Sequence, residues 1–365
     1  MSKTPEFRNC LLQVETYVPG KPIEEVKREL GLDEVIKLAS NENPLGGSSK
    51  AMEAMKKAIE QIHLYPDGSC FELRQKLAVK LGVDNGNLIF GTGGDEVIFY
   101  FAQSFFCKDD EVIIPECTFS EYETSAILMD INIIRTPLLA DWNVDFDALT
   151  SKISNKTKAI YLTNPNNPTG TLISSDKIEY ILNNMPENCF LFLDEAYYEF
   201  VDDPNYTKAI EWIKEDRNII VLRTFSKIYG LAGTRVGYGI APTRIIDLME
   251  KVRLPFNVNS IAQCGAIAAL DDVEHVNTSR EVNFKGKKFL YAEFEKLGLN
   301  YVPSSANFVW LDTKKDSRYV FKELLKLGVI VRVGAAFGAD TYIRVTVGTQ
   351  YELDKFITAL KVVLK

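Results

Sequence analysis

From residue 88 onward, short apolar runs alternate with stretches of helical spacing. Leu88-Ile-Phe90, Glu111-Val-Ile-Ile114, residues 131–135, 157–162, 189–193, 218–222 and 236–240 read as strands. Helices are expected up to Phe106, from Ser120 to Met129 and from Ser174 to Asn184. The apolar runs lack polar alternation, as strands buried on both faces do. The β-α alternation predicts an α/β architecture: a mostly parallel, doubly wound sheet with helices on both sides.

The flanking regions follow other patterns. Pro22 can open a helix over Ile23–Leu30 that Gly31 closes, and Ile36-Lys-Leu-Ala39 is a short strand. Lys50 to Ile62 has helical spacing, and after the turn Tyr65-Pro-Asp-Gly68 we expect Ser69 to cap a helix through Lys80. Beyond Pro255–Asn259 come an apolar helix over Ala262–Leu270 and a long polar helix over Val276–Leu297. Strands follow at Phe308–Leu311, Val329–Arg332 and Ile343–Val347, with a helix at Ser317–Leu327 and a last one from Tyr351. That is a small α+β unit. The expected division is a large domain over 41–270 and a small one built from both termini, 1–40 and 271–365.

Composition narrows the function. A net charge of −8 over 365 residues, with no basic run, excludes a general nucleic-acid binder. No apolar run reaches the roughly 20 residues a membrane span needs. The six cysteines are scattered, with no C-x-x-C pair, and predict reduced thiols in a cytoplasmic protein with no metal site. Only His63 and His275 are present, and neither sits in a metal-ligand or triad pattern.

The chemistry-bearing residues follow strand ends. Gly91-Thr-Gly-Gly-Asp-Glu96 lies between a strand and a helix, where backbone N–H groups form an anion site. It is neither a Walker A loop nor a full G-x-G-x-x-G. Asp95 is out of place beside an anion, and its side chain is expected to cap the helix and point away. Asn164-Pro-Asn-Asn-Pro-Thr-Gly170 holds amides between two prolines, either as a rigid turn or as a fixed donor. Asp194 ends a buried strand, where a carboxylate needs a cation or serves as an N-cap; Tyr197 is close by, and Glu195 is a less favoured acid-base candidate. Lys227 stands between hydroxyls at Thr224 and Ser226, with Arg235 following, as a Schiff-base lysine beside a phosphate would. A solvated loop lysine is the plainer alternative.

The order of these segments resembles fold type I pyridoxal-phosphate enzymes of the aspartate aminotransferase superfamily. The motifs are Leu38-Ala-Ser-Asn-Glu-Asn-Pro, Tyr65-Pro-Asp-Gly, Asn164–Gly170, Asp194-Glu-Ala-Tyr-Tyr-Glu-Phe, Thr224-Phe-Ser-Lys-Ile-Tyr-Gly and Tyr342-Ile-Arg-Val-Thr-Val. Within that superfamily the chain resembles the histidinol-phosphate aminotransferases from about Tyr17 to the C-terminus. The resemblance implies a seven-stranded sheet in the large domain and pyridoxal 5'-phosphate as cofactor. Its catalytic residues would be Lys227, Asp194 and Tyr197. Asp194 would pair with the ring nitrogen, Tyr197 and Asn167 with the ring oxygen, and Phe119 would stack on the ring. Thr224, Ser226, Arg235 and the Gly94-Asp95-Glu96 backbone would hold the phosphate. Tyr65 would reach it from the other subunit of a homodimer. Tyr17, Asn43, Arg332 and Arg344 would meet the substrates, histidinol phosphate and glutamate or 2-oxoglutarate. Arg332 taken by itself reads equally well as a surface arginine. An aromatic amino-acid aminotransferase and a threonine-phosphate decarboxylase are the alternatives on the same scaffold.

Overall fold

The computed structural model describes residues 6–16, 21–203 and 206–365. Tyr17 lies outside them. The described strands are β1 (Ile36–Leu38), β2 (Leu88–Gly91), β3 (Glu111–Pro115), β4 (Asn132–Thr136), β5 (Thr157–Thr163) and β6 (Phe190–Asp194). They continue with β7 (Ile219–Thr224), β8 (Gly237–Ile240), β9 (Asn300–Val302), β10 (Phe308–Asp312), β11 (Val329–Val333) and β12 (Tyr342–Thr346).

Seven of them form one sheet in the order β2-β8-β7-β6-β5-β3-β4. All neighbours are parallel except β8, which runs against both β2 and β7. This is the mostly parallel sheet that the apolar runs predict. Each run feeds both faces. Leu191, Leu193, Ile219 and Val221 join the core on one side, while Phe190, Phe192, Ile220 and Leu222 join the core on the other. Burying such residues is worth about 1.5–3 kcal/mol each, so the sheet interior dominates the fold's stability.

The second sheet has the order β1-β11-β12-β10-β9. Strand β1 pairs in parallel with β11, Ile36 opposite Val329. The N-terminal strand therefore sits in the sheet of the C-terminal strands. Helices Val273–Lys296, Ser317–Lys326 and Gln350–Leu364 cover that sheet through Leu290, Phe294, Leu324, Phe356 and Leu360.

Local expectations hold in some places and fail in others. Helix Ile23–Leu30 ends at Gly31 with φ 65°, the left-handed turn that glycine adopts freely. The helix after Tyr65 begins only at Phe71, and Asp67 organises its start instead of Ser69. Asp67 accepts from the N–H groups of Ser69 and Phe71, both at 2.8 Å, because its carboxylate reaches two donors and a hydroxyl only one. The long polar helix starts at Val273, where Asp272 caps the His275 N–H. Strand β9 and helices Ala209–Lys214 and Thr243–Met249 carry too few residues to stand out as patterns.

Candidate active site

Strands β5, β6 and β7 run parallel and end at Thr163, Asp194 and Thr224, so these residues share one sheet edge. Beyond it lies a cavity of about 550 Å3. Its walls include Gly94, Asp95, Phe119, Asn167, Asp194, Tyr197, Thr224, Ser226, Lys227 and Arg235, joined from the smaller sheet by Arg332 and Arg344. Twelve of the sixteen residues singled out from the sequence thus converge.

Asp194 is buried, and its oxygens accept from Tyr122 Oη at 2.6 Å and from the Ala196 N–H at 2.8 Å. Burial pushes its carboxyl up to about 6 despite those two donors. Among the described residues no ion pair reaches it. A buried carboxylate aimed into a cavity without a cation fits a protonated ring nitrogen.

The opposite end of the cavity suits an anion. The helix Gly94–Phe105 opens there, and Thr224 and Ser226 are held together by a Ser226 N–H to Thr224 Oγ1 bond of 3.0 Å. Arg235 crosses the helix start so closely that a Cβ on Gly93 would come within 2.4 Å of its Nη2. Gly93 also has φ 81°, so only glycine lets backbone and guanidinium share this space. Asp95 does not point away as expected. It pairs with Arg235 at 3.3 Å, since that guanidinium is the cation at the helix start. Glu96 takes no place in the cavity wall; its carboxylate accepts from Asn257 Nδ2 at 2.8 Å.

Lys227 Nζ donates to the Ser40 carbonyl at 3.1 Å and lies 5.6 Å from the centre of the Tyr197 ring. Phe119 meets Tyr122 edge to face at 5.6 Å. Arg344 donates to Asn167 Oδ1 and, at 2.6 Å, to the Ala39 carbonyl. Arg332 is its direct cross-strand neighbour, and both guanidinium groups lie about 6 Å from the Phe337 ring. Like charges opposite one another on a strand pair repel. Two arginines so placed on a cavity wall fit a shared anion.

Three further predicted residues are not brought into this cavity. Asn43 donates to the Ile228 carbonyl at 2.7 Å and to Ser279 Oγ at 2.8 Å, so it braces the lysine loop from behind. Tyr65 is 84% exposed on the surface, stacked on Phe256. Glu195, the acid-base alternative, points to the other face of the sheet and binds Arg223. One residue was missed. Asn41 lines the cavity and donates to Tyr197 Oη at 2.9 Å. Its signal is the amide-dense Ser40-Asn-Glu-Asn43, where the asparagine two places earlier is the one that faces inward.

The sequence model of the family described as aminotransferase class I and II matches residues 33–360. The chain belongs to this family. Among similar class I and II aminotransferases is the histidinol-phosphate aminotransferase of Moorella thermoacetica, 48% identical over all of this chain and 94% of that protein. That of Caldicellulosiruptor saccharolyticus is 47% identical over 98% of this chain and 100% of its own length. Among solved structures, the histidinol-phosphate aminotransferase of Sinorhizobium meliloti in complex with pyridoxal-5'-phosphate superposes with a TM-score of 0.91. It is 25% identical and covers 100% of this chain and 98% of that one.

Proposed function

We propose that this aminotransferase moves the amino group of L-histidinol phosphate to 2-oxoglutarate, giving imidazole acetol phosphate and L-glutamate, a step of histidine biosynthesis. The observation that carries the reading is the opposed pair Arg332 and Arg344 on the wall of a cavity that also holds Lys227 and Asp194. Relatives of 41–48% identity named for this activity support it. The cofactor is pyridoxal 5'-phosphate, which when bound supplies an aldehyde that captures amines and a ring that draws electrons from the substrate Cα.

The residues divide the work. Asp194 would hold the ring nitrogen, Asn167 and Tyr197 the ring oxygen, and Phe119 one ring face. Thr224, Ser226, Arg235 and the helix start at Gly94-Asp95-Glu96 would hold the phosphate, for which Asp95 must yield its place on Arg235. Lys227 would act as the base that takes up and returns the proton at the substrate Cα. Arg332 and Arg344 bind the substrate phosphate in one half-reaction and a carboxylate in the other, since guanidinium suits both anions. Tyr17 belongs near the substrate on resemblance alone.

We also assign the division into domains at 41–270, against 1–40 with 271–365. The exposed Tyr65 and Phe256, with Ile62, Leu64 and Leu254 also exposed, offer an apolar surface to a second subunit, whose phosphate site Tyr65 would complete. No helix is long and apolar enough to cross a membrane among the described residues. The free thiols fit a cytoplasmic setting.

The test is a titration of the purified holoenzyme with histidinol phosphate, followed by absorbance. Full conversion of the visible cofactor band, and glutamate formed in equal amount once 2-oxoglutarate is added, is the expected result. Preference for phenylalanine, or CO2 release from phosphothreonine, would replace this reading with one of the two alternatives.

A further inference from the structure

Asn41 is 1% exposed and holds φ 56°, a left-handed conformation that asparagine tolerates better than most residues. Its backbone N–H donates to Thr346 Oγ1 at 3.0 Å. The Thr346 hydroxyl, already receiving that hydrogen, has its own single proton to give, and Asn41 Oδ1 lies 3.0 Å away. Donation by Thr346 places the amide oxygen on that side. Nδ2 is therefore the atom 2.9 Å from Tyr197 Oη, and it must donate. The Asn41 carbonyl in turn accepts from Asn307 Nδ2 at 3.1 Å. Partners far away in sequence thus hold Asn41 at its backbone N–H, its backbone carbonyl and its side chain.

The consequence falls on Tyr197. A phenol that receives a donor keeps its own proton for another acceptor, and among the described residues none takes it. We infer that Asn41 is a positioning residue that sets the direction of the Tyr197 O–H, turning its proton into the cavity toward the ring oxygen of the cofactor. This rests on the cofactor reading above. Thr346 acts one step behind, by orienting the amide. The donor direction at the ring oxygen is thereby set from β12, the strand that also carries Arg344.

Asn41→Asp keeps the shape and replaces the donor with an acceptor, so Tyr197 would donate to residue 41 and no longer direct its proton into the cavity. A donor on an oxygen anion weakens proton binding around it. The midpoint pH of the visible absorbance of the bound cofactor should therefore rise by about one unit in Asn41→Asp, as in Tyr197→Phe. The double variant should shift no further than Tyr197→Phe alone. Thr346→Val, which frees the amide to turn, should shift the midpoint the same way by less, and it carries the test if Asn41→Asp does not fold. An unchanged midpoint in both variants overturns the inference. So does an Asn41→Asp shift that adds in full to that of Tyr197→Phe, since a buried charge alone would then account for it. A wild-type protein with no visible cofactor band would instead remove the cofactor reading itself.

Discussion

Two neighbouring residues, Asp194 and Glu195, face opposite sides of the same sheet edge, and so do Arg223 and Thr224. On the cavity side, Asp194 and Thr224 have hydrogen-bond capacity directed at open space. On the other side, Arg223 clasps Glu195 Oε2 with two donors at 2.9 and 2.7 Å while stacking on Tyr198 at 3.8 Å. Burial pushes the neighbouring Glu199 carboxyl up to about 8, which favours its neutral form beside the Arg223–Glu195 pair. The same strand ends thus build an ion pair within the chain behind and a cavity-facing set of donors and acceptors in front. The charge behind is paired within the chain, whereas the Asp194 carboxyl in front has no ion-pair partner among the described residues.

The contrast can be broken from either side. Lys227→Ala should reduce turnover by at least about 10⁴-fold and remove the visible cofactor band, read by steady-state rates and absorbance. Retained turnover and band would refute the front face as the site. Arg223→Met leaves Glu195 as an uncompensated buried charge and should destabilise the protein by about 3–5 kcal/mol in urea unfolding. A second change, Glu195→Leu, should restore most of that loss. Arg344→Lys keeps the charge but loses the planar fork, and kcat/KM for histidinol phosphate should fall roughly 10–100-fold.

Two smaller effects sharpen the picture. The raised Asp194 carboxyl is stabilised as an anion once a cationic ring nitrogen pairs with it, so binding expels a proton below pH 6. Cofactor affinity should be flat above pH 6 and fall by up to about tenfold per unit below it. Fluorescence titrations between pH 5 and 8 would show this, and affinity that climbs toward pH 5 would contradict it. Asp95→Asn removes a half-exposed partner of Arg235. It should alter unfolding stability by less than about 1 kcal/mol while tightening inorganic phosphate binding to the cofactor-free protein, measured by calorimetry.

The front face was far more legible than the back. Lys227, Asp194, Thr224 and Arg235 follow buried strands, and strand ends in a parallel sheet converge by geometry. The seven apolar runs became the seven strands of the large sheet for the same reason. What sequence order could not give is side-chain direction in irregular chain. In Ser40-Asn-Glu-Asn43 nothing local distinguishes Asn41, which turns inward because Thr346 and Asn307, more than 260 positions away, bind it. Asp95 was misread because its partner lies 140 residues on. The Arg223–Glu195 clasp left no trace as a motif, since a cation in an apolar strand declares a need for a partner without naming it.

Strand β1 has a long wait. Its partner strand β11 begins only at Val329, whereas the large sheet is complete with Ile240. At synthesis rates of about 5–20 residues per second, that separation leaves the N-terminal strand unpaired for roughly 15–60 s on the ribosome. During that interval Arg344 and Thr346, which binds Asn41, do not yet exist. The growing chain can complete its large sheet and bring Lys227 and Asp194 together, but the proposed anion clamp and the proposed orientation of Tyr197 wait for β12. On the proposed reading, the ability to choose an amine therefore arises only after β11 and β12 have been made, long after Lys227 and Asp194.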